Sequence, residues 1–172
     1  MKKTAIIVIL ILSIFLVGCT NNVTEGVILL EAEKYEEAKE MFQKDIEKEK
    51  RLDEAYHGKG IACFELGEYE EAVNAFLKAL ENGEKETPSI YGFIGACYME
   101  MGEYEKALDT YEKALSMEKI TEELKQEIEF NKIAAYEYLG NWEAAKKQMD
   151  KYEKADPNDD RVEKEADFLE TR

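Results

Sequence analysis

The sequence Leu66-Gly-Glu-Tyr-Glu-Glu-Ala72 indicates a repeated architecture, because closely similar sequences occur at residues 32–38, 101–107 and 139–145. Their central aromatic residues are separated by 34, 35 and 38 positions and are Tyr35, Tyr69, Tyr104 and Trp142. A repeat of this length is typical of helical hairpins that stack in series. The sequence therefore predicts about four such hairpins.

Small residues recur where two helices must turn or approach each other. Gly67, Gly102 and Gly140 lie where the first helix of a hairpin must end, and glycine readily adopts the left-handed conformation that ends a helix. Other glycines recur inside the first helices, where we expect the second helix to cross, and these are Gly26, Gly60 and Gly95. Each second helix has a small residue followed four positions later by a large one, in the pairs Ala38 and Phe42, Ala72 and Phe76, Ala107 and Tyr111, Ala145 and Met149. The large members share a face with the alanines and are predicted to fill the space between hairpins.

Together these positions resemble the tetratricopeptide repeat (TPR) family, whose pattern is W-x2-L-G-x2-Y, A-x3-F and a closing P. The resemblance implies an all-α, right-handed α-solenoid of about four TPR-like hairpins, at residues 19–50, 53–84, 88–119 and 126–157. A C-terminal capping helix is expected over residues 158–172, with Val162, Ala166 and Leu169 on one face. Repeat four departs from the pattern, with Glu129 and Ile133 at the places of Trp and Gly.

The first eighteen residues have the pattern of an export signal, with Lys2 and Lys3 followed by an apolar run over residues 4–17. As a helix this run would be about 21 Å long, too short for the roughly 30 Å hydrocarbon core of a membrane. The run ends in Leu16-Val17-Gly18-Cys19, which resembles the lipobox of bacterial lipoproteins. That resemblance implies removal of residues 1–18 and lipid attachment at Cys19. The chain would then be exported and anchored to the outer face of the bacterial cell membrane, or to the outer membrane of a Gram-negative source. The alternative is an ordinary secreted protein with a chance cysteine.

Charge and composition exclude several functions. The formal net charge of -16 argues against nucleic acid, because a nucleic-acid binder needs clustered Lys and Arg. His57 is the one histidine, so the chain has no His-based metal cluster or catalytic triad, and we expect no metal, cofactor or enzymatic activity. Cys63 and Cys97 fall inside predicted helices and are interpreted as buried packing residues, with a disulfide between them as the alternative.

In TPR proteins the first helices line a concave groove that binds partners, and the resemblance assigns that groove by position. The predicted groove residues are Val27, Leu30, His57, Ile61, Phe64, Ala96, Met99, Phe130, Ala134, Glu137 and Tyr138. Further positions in the same rows are Val23, Glu54, Glu65, Ser89, Gly92, Glu100 and Glu127. This surface is apolar and acidic, so it favours a protein or peptide partner with an apolar segment and basic flanks.

The function that follows is a membrane-anchored adaptor or scaffold for protein–protein interaction. The alternative from another class is a solute-binding or catalytic envelope lipoprotein in which the repeats are accessory. Self-association through the end hairpins is a third possibility, and a measurement of the size of the mature fragment would detect it.

Overall fold

A computed structural model describes residues 22–157 and 159–171, and these residues form nine α-helices and no strand. The helices are α1 (Asn22–Glu31), α2 (Tyr35–Glu47), α3 (Leu52–Glu65), α4 (Tyr69–Glu81), α5 (Pro88–Glu100), α6 (Tyr104–Leu115), α7 (Glu122–Tyr138), α8 (Trp142–Ala155) and α9 (Asp160–Glu170). Cys19 and the predicted signal segment lie outside the described residues. Among the residues described, no helix combines the length and the apolar character needed to cross a membrane.

The helices pair into four consecutive hairpins, and each second helix also packs against the first helix of the next hairpin. The first helices α1, α3, α5 and α7 additionally contact one another in a row, whereas the second helices α2, α4, α6 and α8 do not meet. Since the first helices are closer together, the stack curves with these helices on its inner face and the second helices on its outer face. The predicted all-α solenoid of TPR-type hairpins is confirmed.

Left-handed residues end the first helix of every hairpin. Gly67, Gly102 and Gly140 have φ values of 75°, 73° and 68°, as the sequence predicts. Hairpin one has Glu33 at the corresponding place, with a φ of 58°. This conformation costs a residue with a Cβ roughly 1–2 kcal/mol. Hairpin one therefore forms the same turn less favourably than the other hairpins.

The repeated alanines and aromatic residues form the core. Ala38, Ala72, Ala107 and Ala145 are completely buried, and so are Phe42 and Phe76. The glycines inside the first helices make room for the rings: a Cβ on Gly60 would lie 2.7 Å from the Phe76 ring, and one on Gly26 equally close to Phe42. The predicted crossing is therefore correct, and the group that occupies the space at each glycine is an aromatic side chain.

The aromatic residue that begins each second helix meets the end of the next first helix. Tyr104 stacks on Tyr138 with ring centroids 4.7 Å apart, and Trp142 meets Phe168 of α9 edge to face at 6.3 Å. In the earlier hairpins the partner is a carboxylate: burial and the neighbouring Glu65 raise the pKa of Tyr35. The repeated stretch thus links each hairpin to the following one.

The last helix continues the stack. Asp159 accepts a hydrogen bond from the Arg161 N–H at 2.9 Å and so caps α9. Val162 and Leu169 are buried against α8, and Ala166 packs on the same core cluster. The predicted apolar face of this helix is confirmed, and α9 begins at Asp160.

Cys63 and Cys97 are both fully buried and both free. They belong to the central core cluster, and burial raises the pKa of each thiol to about 12. Their interpretation as packing residues is confirmed, and the disulfide alternative is not observed.

A carboxylate from the second helix caps the first helix of hairpin one. Asp45 is buried, and it accepts hydrogen bonds from the Val23 N–H at 3.0 Å and from the Asn22 side chain at 2.6 Å. Replacing Asp45 by Ala leaves a buried helix N-terminus without an acceptor, so we expect the free energy of unfolding to fall by about 2 kcal/mol. Urea unfolding followed by circular dichroism measures this loss. Asp45→Asn retains one acceptor oxygen and should lose less; an equal loss in both variants would contradict the capping role.

Candidate functional site: the inner face

The eleven predicted groove residues all lie on the first helices α1, α3, α5 and α7, and none of them is buried. The most exposed are Val27 at 44% and Tyr138 at 68%, and the other nine are half-buried. Two of the further positions are corrected by the structure. Val23 is buried in the first core cluster, and Gly92 is buried facing Leu124 of the next first helix. Neither can contact a partner in this structure.

The centre of the inner face is aromatic and aliphatic. Ile61, Phe64 and Met99 are half-buried on the central core cluster. The Phe64 ring meets the edge of Phe93 at 5.4 Å, and Phe93 in turn stacks on Phe76 at the same separation. The face is therefore supported by a rigid aromatic group shared by two hairpins.

Phe93 is an inner-face residue that the repeat pattern did not identify. It precedes Ile94 and Gly95, two positions of the repeat pattern, and is itself half-buried. The aromatic residue at this place has no counterpart in the other repeats, where Gly58 and Asn131 occur. A position-by-position reading of the repeat thus gave no reason to select it.

His57 has a defined environment. Its Nδ1 atom pairs with the Glu84 carboxylate, which belongs to the segment that follows α4. The imidazole also lies edge to face with Phe76, with centroids 5.7 Å apart. His57 therefore connects the inner face to the inter-hairpin loop, and its ring is held in one orientation.

Phe130 is covered by another part of the chain. The Arg161 guanidinium of α9 lies 4.2 Å from the centre of the Phe130 ring, and it also pairs with Glu127 at 3.1 Å. The cation and the ring attract each other directly. A partner that uses Phe130 must first displace Arg161, so the accessible part of the inner face is on α1, α3, α5 and the end of α7.

The edge of the inner face carries exposed carboxylates. Glu65 and Glu100 end their helices at equivalent places, and neither is paired with a cation among the residues that the structure describes. Glu54 and Glu127 are also exposed but are paired with Arg51 and Arg161. Acids that have no cationic partner and lie beside an apolar surface attract basic groups on a partner.

Two carboxyl groups face each other where α7 meets α9. Burial and the neighbouring Glu165 raise the pKa of Glu137 to about 7, far above the ordinary value near 4.3. Between about pH 4.5 and 7 the folded state therefore holds a proton that the unfolded state releases. Stability supplied by this pair is greatest at the acidic end of that window and is lost as the pH rises through 7.

We expect the melting temperature to fall less in Glu137→Gln than in the wild-type protein when the pH is raised from 5 to 8. The amide cannot ionise, so the repulsion between α7 and α9 does not develop. Thermal unfolding at the two pH values measures the difference. Glu153→Gln, an exposed position on α8, is the matched control and should follow the wild type. Identical pH dependence in all three proteins would contradict the prediction.

One group of side chains in the described part of the chain has metal-ligand spacing, formed by Cys63, Glu68 and Glu71. Burial holds the Cys63 thiol protonated, whereas a metal would need the thiolate. Lys39 Nζ already contacts both Glu68 oxygens, at 2.7 and 2.5 Å, and lowers the pKa of that carboxyl group. A lysine thus occupies the place of the cation, and these residues fit a structural ion pair better than a metal site.

The geometry defines a class: a short solenoid of TPR-type hairpins with an apolar and acidic inner face. A tetratricopeptide repeat family model matches residues 23–89, and a model named regulator of microtubule dynamics protein 1-3 matches residues 64–137. No curated protein matches the chain in sequence.

Solved structures extend the likeness over most of the chain. YrrB, described as a TPR protein with an unusual peptide-binding site, superposes with a TM-score of 0.71 at 21% identity, covering 86% of this chain and 74% of its own. A MamA protein, the RS-1 ArsTM double mutant, gives 0.75 at 21% identity over 89% of this chain and 85% of its own. A TPR protein from Parabacteroides merdae gives 0.70 at 22% identity, with coverage of 87% and 57%. At these identities the likeness establishes the shared fold.

Proposed function

We propose that the mature chain is an adaptor that binds an apolar segment of a protein partner along its inner face. The observation that carries the proposal is the row of half-buried apolar side chains on the neighbouring helices α3 and α5, namely Ile61, Phe64, Ala96 and Met99. These side chains keep part of their surface in water, so covering them with apolar groups of a partner is favourable. The peptide-binding site named for YrrB supports the same use of the fold.

Glu65 and Glu100, which have no cationic partner among the described residues, determine the charge that the partner should carry. Both carboxylates end the helices that carry the apolar row, so they lie beside one end of it. A partner with Lys or Arg beside its apolar residues would gain attraction there, whereas an acidic partner would be repelled. Basic flanks are therefore part of the proposal.

We also propose that a lipid at Cys19 anchors the adaptor on the outer face of a bacterial membrane. Only Thr20 and Asn21 separate Cys19 from the first described helix. Because an extended residue spans at most about 3.6 Å, hairpin one would begin within roughly 11 Å of the lipidated residue. The partner would then be at or near the same membrane. An acidic surface gives little attraction to anionic headgroups, which is why a covalent anchor is needed.

Crosslinking in cells tests the binding face. Phe64→Glu places a charge in the apolar row, and we expect the crosslinked partner to be lost. Leu77→Glu, at an exposed position of the second helix α4, is the matched control and should retain it. Retention of every partner by Phe64→Glu, with the variant folded by circular dichroism, would remove the basis for the proposed face.

The anchor needs a separate experiment. Cys19→Ser should move the protein from the membrane fraction to the soluble fraction, and mass spectrometry of the wild-type N-terminus should show a lipid-modified cysteine at residue 19. A soluble wild-type protein, or an unmodified Cys19, rejects the anchor without affecting the inner-face proposal.

A further inference from the structure

Two grooves on the outer face occupy equivalent positions two repeats apart. The first outer groove has a volume of about 220 Å³ and is lined by α2, α3 and α4, including Lys59 and Lys78. The second outer groove has a volume of about 660 Å³ and is lined by α6, α7 and α8, including Lys132 and Lys151 at the same repeat positions. The repeat thus provides an internal comparison between two versions of one surface.

The second outer groove is the more basic of the two. Four lysines line it, Lys125, Lys132, Lys147 and Lys151, against the two lining acids Glu112 and Glu129 and the adjacent Glu122. In the first outer groove two lysines face one glutamate, and the places of Lys147 and Ala144 are taken by Asn74 and Glu71. A local excess of positive charge is unexpected in a chain with a net charge of -16. Within about 10 Å, the distance over which salt screens charges, this excess favours an anionic ligand.

Three lysines of the second outer groove, Lys125, Lys132 and Lys147, could pair with a ligand. Lys147 has no hydrogen-bond or ion-pair partner within the described ranges. Lys125 pairs with Glu122 at 3.1 Å, but both side chains are largely exposed, and exposed pairs contribute little. Lys132 is buried, and its partner Glu112 has a side chain that is 63% exposed. The Glu112 carboxylate therefore reaches the buried ammonium group from the solvent side, and an incoming carboxylate would have to take its place there.

Glu129 keeps its partners and forms the floor of the groove. Burial alone would raise its pKa, but hydrogen bonds from Lys151 and Gln148 and the charge of Lys132 outweigh this and lower it. Lys151 Nζ lies 2.6 Å from the carboxylate. This carboxylate stands where repeats two and three have Tyr56 and Tyr91, so the departure of repeat four from the pattern is what makes the groove polar.

The spacing of the lysines indicates the size of the ligand. Lys125 and Lys132 are two turns apart on α7, or about 10 Å, and Lys147 and Lys151 are one turn apart on α8, or about 6 Å. Alternate side chains of an extended peptide are about 7 Å apart. Two or three carboxylates of an extended acidic peptide could therefore each reach a lysine, whereas a single phosphate could reach only one or two of them. Lysine ammonium groups impose little orientation, which suits carboxylates on a flexible segment.

We propose that the second outer groove binds an acidic segment of a partner protein through Lys125, Lys132 and Lys147. The proposal does not depend on the inner face or on the lipid anchor. The scaffold would then have two surfaces of opposite preference. The inner face would attract the basic flanks of one partner, and the second outer groove would attract the carboxylates of another.

Binding of a fluorescent hexaglutamate peptide to the full chain in detergent, followed by anisotropy, tests this proposal. We expect saturable binding at low salt that weakens as the ionic strength approaches about 0.15 M. Lys125→Glu with Lys147→Glu should weaken binding about tenfold, since two attractive charges become repulsive. Asn74→Glu with Lys78→Glu, in the first outer groove, is the matched control and should change the affinity by less than about twofold.

Three results would overturn the proposal: no saturable binding at low salt, equal weakening in both double variants, or complete displacement of the peptide by millimolar inorganic phosphate. The last result would mean that the groove holds a small anion and not a peptide. Lys147, Asn74 and Lys78 are exposed and Lys125 is half-buried, so circular dichroism should show that both double variants are folded.

Discussion

Replacing Phe42 by Ala is expected to lower the free energy of unfolding by about 3–5 kcal/mol, which is typical when a fully buried aromatic residue is truncated. Phe42 is 0% exposed, and its ring lies against Gly26 of α1 and Gly58 of α3 at the same time. Neither glycine has a side chain that could expand into the space, so a cavity would remain. One ring therefore joins hairpins one and two.

Urea unfolding measures this loss, and hydrogen exchange locates it. Because each hairpin contacts only its neighbours, exchange should accelerate in α1 and α3 and stay slow in α8. Leu77→Ala, at a side chain that is 43% exposed, is the control and should change stability by less than about 0.5 kcal/mol. A similar loss in both variants, or accelerated exchange throughout the chain, would contradict this assignment of Phe42.

Gly95→Ala should destabilise the protein by about 2 kcal/mol although alanine is the better helix former. A Cβ at Gly95 would lie 2.6 Å from the Cδ1 atom of Tyr111, and that ring is almost completely buried and cannot move aside. The clash therefore outweighs the gain of about 1 kcal/mol from helix propensity.

Gly92→Ala in the same helix is the matched control. There the nearest atom to a new Cβ is the Leu124 methyl carbon Cδ1 at 3.2 Å, the end of a flexible side chain. We expect Gly92→Ala to be within about 1 kcal/mol of the wild type. Combining Gly95→Ala with Tyr111→Leu should recover part of the loss, because the smaller side chain relieves the clash. If Gly95→Ala is as stable as Gly92→Ala, the close packing of Tyr111 on α5 is wrong.

The repeat pattern predicted those parts of the fold that each repeat specifies locally. Gly67 has the left-handed turn, Ala72 is buried and Phe76 fills the core, because a turn conformation and a helical spacing are properties of a few consecutive residues. Contacts that do not recur from repeat to repeat could not be predicted in this way. The cap that Asp45 supplies to α1 is one example, since it joins residues more than twenty positions apart with no repeated counterpart.

The inner face was predicted by position, and its details depend on tertiary contacts. The covering of Phe130 by Arg161 follows from the packing of α9 against α8, which the repeat pattern does not specify. The contacts of Glu129 in repeat four also depend on tertiary structure. Glu129 was visible as a departure from the pattern, but only the structure shows that Gln148 and Lys151 satisfy its carboxylate.

Site-specific photo-crosslinking in cells tests most directly whether the inner face is the binding surface. A photoreactive residue is introduced at Ala96, half-buried on the first helix α5, and separately at Leu77 on the second helix α4. We predict one crosslinked partner from Ala96, lost when Phe64→Glu is added, and no such product from Leu77. The same product from Leu77 alone, or from Ala96 irrespective of Phe64→Glu, would contradict the account.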